Sequence, residues 1–253
     1  MSVTVVEAVG TLGAALSRRF PLGVSRLPDS HGPDAVNVAV YAPERSQVVV
    51  CHRTVGGQWK AVLLPDVTDG VHHGLVTGMP VGSHYGFYTE TDGEGTLQID
   101  PDALQLLLDP YGRYIDQHID STGAIRYTSV RMSSDFDWGD VRPPRISRRD
   151  SVYYEAHVRG QTMLHPEIPK EIRGTYAGMA HPVMIKHLLE LGVTAIQLLP
   201  IHFHTDEPHL HGTGMRNYWG YNTLGFFAPQ VDYASAGAQS RGPDRKTSCR
   251  ERV

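Results

Sequence analysis

Residues 181–200 read HPVMIKHLLELGVTAIQLLP, and the two halves of that stretch follow different periods. In the first half Met184, Ile185, Leu188, Leu189 and Leu191 recur at helical spacing. Pro182 suits the first turn of that helix, and Gly192 suits a left-handed C-terminal cap. The second half, VTAIQLLP, is a nearly continuous apolar run, the pattern of a strand buried on both faces of a parallel sheet. Upstream, SVYYEAHV at 151–158 is an aromatic, β-rich run that supplies a partner strand. Strand, helix, strand makes one βαβ unit with a right-handed crossover. The stretch between Gly160 and Ala180 is longer than an ordinary βα connection, so it is expected to do more than connect.

Further toward the N-terminus the pattern changes. Between Asn37 and Glu90 short apolar runs recur at close spacing: NVAVYAP, QVVVCHR, WKAVLLP, HGLVTGM and HYGFYTE. Val36, Val38 and Val40 alternate with other residues as in a half-buried strand. Turn material such as PERS, VGGQ, PDVTDG, MPVGS and TDGEGT separates the runs. Short strands so punctuated predict an antiparallel, immunoglobulin-like β-sandwich over residues 1–115. Residues 116–150 are polar and carry RPPRISRRD, which reads as a linker. A second domain is expected over 151–236, followed by an aberrant basic tail at 237–253.

The chain has 253 residues, 40% hydrophobic and 20% charged, with a formal net charge of -4. That balance describes a globular protein and argues against a dedicated nucleic-acid binder. Cys51, within a strand-like run, reads as a small buried hydrophobe, and with only Cys249 besides, no disulfide framework is expected. The first twenty residues lack a charged leader before an apolar run, and no apolar stretch reaches the roughly 18 residues of a membrane span. The expectation is a cytoplasmic protein without membrane partners.

In α/β architectures ligands meet the loops at the carboxyl ends of the strands. The loop after AIQLLP runs from Ile201 to about Ala228 and contains RNYWGYNTLGFFAP, with the rings of Tyr218, Trp219, Tyr221, Phe226 and Phe227. Sugars present C–H patches to aromatic faces and hydroxyls to groups that both donate and accept. Tyr221 and Trp219 are therefore candidates to stack on a sugar, with Asn222 and Asn217 as hydroxyl partners. Phe226 and Phe227, lacking a polar tip, are expected in the core beneath the loop. His202, His204, His209 and His211 form two His-x-His pairs, but no cysteine supports a zinc site and solvated or hydrogen-bonded loop histidines are expected. Glu155 in the first strand is read as a structural carboxylate, and no motif calls for a cofactor.

These residues also resemble a known family. VYYEAHVRGQT through VTAIQLLPIHFH, followed by RNYWGYNTLGFFAP, resembles glycogen debranching enzymes of the isoamylase type in glycoside hydrolase family thirteen. Upstream, PLGVSRLP, NVAVYAPERSQVVVC, GVHHGLVTGMPVGSHYGFY, LLLDPYGRYI and DFDWGD resemble the isoamylase-type carbohydrate-binding module of that family. The resemblance implies a β-sandwich followed by a (β/α)8 barrel that hydrolyses α-1,6 branch linkages in glycogen or a related α-glucan. It also implies that Tyr221 stacks on the sugar beside the scissile bond. A sugar site at Trp59 or Tyr85 of the N-terminal module is the weaker expectation, and a packed core the stronger.

A full barrel takes about 250 residues, far more than follow position 150, so the fold is expected to be the first βαβ portion of such a barrel, apparently truncated. Retaining hydrolysis needs two carboxyl groups roughly 5 Å apart. The family draws these from later strands whose motifs are not in this sequence, so no residue inherits a catalytic role. The tail from Arg241 to Val253 reads as out-of-frame translation or a cloning scar. The first reading is thus a debranching hydrolase segment that is itself inactive. The alternative is a non-catalytic α-glucan-binding protein.

Overall fold

The valine alternation at 36, 38 and 40 lies in the middle strand of a β-sandwich. The computed structural model describes residues 5–7, 17–28, 32–54, 56–89, 105–120, 122–133 and 138–236. The chain divides into two compact units, Met1–Met132 and Ser133–Val253. The expected turn TDGEGT and the basic tail at 237–253 lie outside the described residues.

The described strands of the N-terminal unit are β1 Val5–Glu7, β2 Gly23–Arg26, β3 Val36–Tyr41, β4 Val49–Arg53, β5 Lys60–Leu63, β6 Asp66–Thr68, β7 Val71–Val76, β8 His84–Tyr88, β9 Ile115–Ile119 and β10 Ile125–Val130. They form a six-stranded sheet in the order β1-β5-β4-β8-β10-β9 and a four-stranded sheet in the order β2-β3-β7-β6. Pairing is antiparallel except where β1 runs parallel to β5. Val36, Val38 and Val76 from one sheet meet Val50, Tyr85 and Phe87 from the other, with Leu64 and Met79, in one buried apolar cluster. The period-two alternation of strand side chains sends the neighbouring residues Val49 and Cys51 to the opposite face of β4. There they pack with Trp59, Ala61 and Leu106 as a second cluster. Leu106 belongs to a segment tied to β8 by reciprocal backbone hydrogen bonds between Phe87 and Leu107.

Trp59 and Tyr85 are both buried, as the packed-core expectation required. The Arg53 guanidinium covers the Trp59 ring at 4.7 Å. The Tyr85 hydroxyl donates to Asp109 Oδ2 at 2.7 Å, and Asp109 Oδ1 accepts from the Tyr111 amide at 2.9 Å. The buried Cys51 thiol is pushed up to about 12 by burial, which leaves it a small apolar side chain.

The expected linker at 116–150 is corrected over its first half, because β9 and β10 form a hairpin within the six-stranded sheet. Asp120 closes it, accepting from the amides of Thr122 at 2.8 Å and Ala124 at 3.0 Å and from Arg126 Nε at 2.7 Å. Hydrogen bonds from Thr122 and Arg126 hold the Asp120 carboxyl well below the usual carboxylate range. The segment reads as linker because β9 is an edge strand, where polar side chains face water and guard the free edge. Residues 138–150 are all exposed, with a single 3-10 turn at Arg148–Asp150.

In the C-terminal unit, β11 Tyr153–Ala156 leads through α1 Val158–Thr162, α2 Tyr176–Met179 and α3 Pro182–Glu190 to β12 Ala195–Leu198. The strands β11 and β12 pair in parallel, Tyr153 opposite Ala195 through Ala156 opposite Leu198. Helix α3 starts at Pro182 and ends in a Schellman cap: the Val193 amide donates to Leu188 O and the Gly192 amide to Leu189 O, both at 3.0 Å, with Gly192 at φ 72°. Met184 and Leu188 are buried, whereas Ile185, Leu189 and Leu191 are exposed. The expectation of a strand buried on both faces is corrected too, since β12 is only half-buried and Gln197 faces solvent. Among the described residues β11 is the only strand beside it. The long stretch from Gly160 to Ala180 folds on itself: Arg173 donates to Ile168 O and Pro166 O, and the Gly174 amide donates to Thr162 Oγ1.

Candidate substrate-binding site

Beyond β12 the chain forms β13 His202–His204, then a loop, then β14 Thr223–Pro229, which returns antiparallel to β13. The loop is organised by Asn217. Its Nδ2 donates to Thr205 O at 3.3 Å and to Glu207 Oε1 at 3.1 Å. Its backbone amide donates to Asp206 Oδ1 at 2.7 Å, and its Oδ1 accepts from the Gly220 amide at 2.9 Å. Asn222 repeats the theme on a smaller scale, donating from Nδ2 to Thr205 Oγ1 at 3.1 Å and accepting at its carbonyl from the Thr205 amide. Both amide side chains, expected as hydroxyl partners for sugar, are therefore engaged in holding the loop, and Asp206 and Glu207 are engaged with Asn217.

The turn Tyr218–Tyr221 sits on this frame. Gly220 takes φ 78°, and a Cβ there would lie 2.9 Å from the His204 ring, so both the turn and the close approach require glycine. The rings on either side point outward: Trp219 is 57% and Tyr221 70% exposed. Beneath them lies a buried aromatic cluster, in which Tyr233 stands edge-on to His157 at 5.7 Å and to Tyr176 at 5.9 Å. The Tyr176 hydroxyl reaches the carbonyls of Ile201 and Gln230. Burial, with the nearby Tyr218 phenol adding to it, pushes the Tyr233 hydroxyl up to about 12, so it stays a neutral hydrogen-bonding group.

Phe226 and Phe227 are corrected. They are 65% and 58% exposed on β14, not core beneath the loop. The buried positions of that strand go to Gly225 and Ala228 instead. His204 is buried and its Nδ1 lies 3.0 Å from His202 O, while His209 and His211 are exposed. Among the described residues no group of three or more His, Cys, Asp or Glu side chains is placed to hold a metal ion. Glu155 is exposed on β11.

The residue that the sequence reading passed over is His157. Its run Tyr-Glu-Ala-His-Val-Arg-Gly stood out, but a histidine is not among the usual helix-capping residues, so its N-cap role at α1 carried no local signal. Its ring stacks on Tyr218 with centroids 4.3 Å apart and planes 6° from parallel.

A sandwich followed by a parallel βαβ unit and an aromatic loop sets the frame for comparison with known proteins. Residues 21–112 match the model of carbohydrate-binding module 48, the isoamylase N-terminal domain. Residues 21–112 of the N-terminal unit make up a family 48 module. The chain as a whole is 38% identical over 226 residues to a glycogen debranching enzyme of Yersinia pestis, an alignment covering 83% of this chain and 34% of that protein. A glycogen operon protein GlgX homolog of Mycobacterium bovis is 37% identical over 252 residues, covering 90% of this chain and 35% of the relative. The chain is thus homologous to the N-terminal part of glycogen debranching enzymes and spans about a third of the length of these curated relatives. Among solved structures, pullulanase type I of Bacillus subtilis complexed with maltose is similar with a TM-score of 0.67 at 22% identity, over 94% of this chain and 32% of that one. An Anoxybacillus pullulanase complexed with maltotetraose gives 0.63 at 21% identity, over 91% and 32%. At that identity the likeness speaks for the fold. Among the described residues of the family 48 module and the unit that follows it, no helix is long and apolar enough to cross a membrane.

Proposed function

We propose that this chain carries the family 48 module and the opening βαβ portion of a (β/α)8 barrel of an α-glucan debranching hydrolase, and that its own part in the reaction is to hold the glucan. In complete form such an enzyme cleaves α-1,6-glucosidic branch linkages of glycogen or a related branched maltodextrin with retention of configuration. The observation that carries this reading is the Tyr221 ring, 70% exposed on a turn whose backbone Asn217 pins. A ring presented to solvent costs apolar hydration, and a glucose unit laid on it removes that cost. Trp219 offers a second face beside it. Asn217 and Asn222 contribute by fixing the turn rather than by touching sugar first.

Holding is separate from cutting. Cleavage requires a facing pair of carboxyl groups, and the acids flanking this turn in sequence are engaged elsewhere, Asp206 and Glu207 in binding Asn217 and Asp232 in pairing with Arg216. That engagement also favours a second reading, a non-catalytic α-glucan-binding protein. Affinity electrophoresis in gels containing glycogen tests the common part. Migration of the chain is expected to be retarded, and Tyr221→Ala is expected to run unretarded. Equal retardation of both would remove Tyr221 from the site. A reducing-end assay on a branched limit dextrin is expected to show no turnover by this chain, and sustained turnover would overturn the division between holding and cutting.

A further inference from the structure

His157 is engaged on both edges and on one face of its ring, and none of these contacts reaches the solvent-facing side of Trp219 or Tyr221. Its Nδ1 accepts from the amides of Arg159 and Gly160, each at 3.1 Å, closing the first turn of α1. A nitrogen that accepts carries no proton, so the ring proton sits on Nε2. Nε2 then donates to the Tyr218 carbonyl at 2.7 Å, with the Tyr233 oxygen at 3.3 Å as a secondary neighbour. Trp219 meets the same imidazole edge-on at 6.4 Å and meets Tyr218 edge-on at 6.0 Å. The fit leaves no slack: a Cβ on Gly160 would come within 2.8 Å of the Tyr218 hydroxyl.

We infer that His157 is a positioning residue for the aromatic platform. One imidazole joins the start of α1 to the carbonyl of Tyr218, and so sets the direction in which the Trp219 and Tyr221 rings face. This rests on the reading of those rings as glucan contacts. Without the Nε2 donor the Tyr218 carbonyl turns to water, and the Tyr218–Tyr221 turn is released from α1 although Asn217 still closes it. The rings then sample several directions, and binding has to order them at an entropic cost that the native turn has already met.

His157→Asn separates the two functions of the ring. Asparagine is a strong N-cap, so it preserves the start of α1, but it is too short to supply the donor to Tyr218. Binding of maltotetraose to the full chain is followed by NMR through the Trp219 indole signal. The variant is expected to bind at least tenfold more weakly, with the Trp219 signal moved and broadened and the Arg159 and Gly160 amides still protected. Binding within twofold of the parent together with an unmoved Trp219 signal overturns the inference. If the parent itself shows no maltotetraose binding, the glucan reading fails on its own. The positioning role is then judged by the Trp219 signal alone: a shift in His157→Asn sustains it and an unmoved signal ends it. A variant that does not fold leaves the parent's imidazole nitrogen resonances as the arbiter. An unprotonated Nδ1 with a protonated, hydrogen-bonded Nε2 supports the role, and the opposite tautomer or an exchanging ring refutes it.

Discussion

His52 of β4 shows how a single side chain couples the sandwich to pH. It is buried opposite Lys60 and Tyr85, and neither ring nitrogen has a hydrogen-bond partner. Burial, with the Lys60 charge adding to it, lowers its pKa from 6.5 to about 4. Between those two values the unfolded chain binds a proton that the folded one refuses, so stability rises with pH across that window and is lost on acidification through it. At roughly 1.36 kcal/mol per unit the loss from pH 7 to pH 4 amounts to about 3 kcal/mol. Burial lowers His73 and His84 in the same direction, so they add to the slope. Replacing His52 with Leu removes the unpaired nitrogens along with the titrating group. Urea unfolding of His52→Leu is expected to show a shallower decline from pH 7 to pH 4.5, with stability at pH 7 equal to or above that of the parent. An unchanged decline would take His52 out of the account.

At the scale of elements, the loop between β13 and β14 depends on two residues whose partners differ in reach. Asn217→Ala deletes three side-chain hydrogen bonds, each worth about 0.5–1.5 kcal/mol net. Hydrogen exchange at the Gly220 amide is expected to report a local opening easier by about 2 kcal/mol, while β3 and β4 amides stay as protected as before. Gly220→Ala forces a side chain into a positive φ and against the His204 ring, and strain of that kind costs about 1–3 kcal/mol. Its urea midpoint is expected to fall, and an unaltered midpoint would mean that the turn rearranges freely. The same two residues show where the sequence was legible. Helix α3 could be read from 182–192 because its period, its first-turn proline and its glycine cap are all local. The organising role of Asn217 could not, because its partners Thr205 and Glu207 lie ten or more residues upstream and nothing local singles out this amide to meet them. The hairpin β9–β10 reads as linker because an edge strand carries polar residues for the same reason a linker does: both face water. Phe226 and Phe227 misled for the converse reason. Apolar character predicts burial only where packing covers the residue, and on β14 the covered positions went to Gly225 and Ala228 instead.

For the molecule as a whole, the two units differ in how completely each covers its apolar side chains. The sandwich buries two apolar clusters between its sheets and beneath the 105–107 segment, although Tyr41, Val67, Leu107 and Ile119 stay exposed on its surface. The C-terminal unit leaves Tyr153, Leu164, Leu189, Phe226 and Phe227 exposed, and large exposed apolar side chains bind hydrophobic probes. Between the sandwich and β11 runs the exposed stretch 138–150, the sort of segment that proteases enter first. Its Arg145, Arg148 and Arg149 are open to trypsin, whereas the bond after Arg142 precedes Pro143 and resists it. Brief trypsin treatment is therefore expected to cut after residues 145–149 before it cuts after Arg53 of β4 or Arg126 of β10. The N-terminal product should remain folded, because the family 48 module carries both of its apolar clusters with it. An anilinonaphthalene dye should bind the intact chain, and the purified N-terminal product should give only a minor part of that fluorescence. If instead the sandwich product retains most of the dye signal, or if trypsin enters β4 as readily as the segment at 145–149, the assignment of the open apolar surface to the C-terminal unit is wrong. The exposure of Phe226 and Phe227 would then have to be explained within the loop alone.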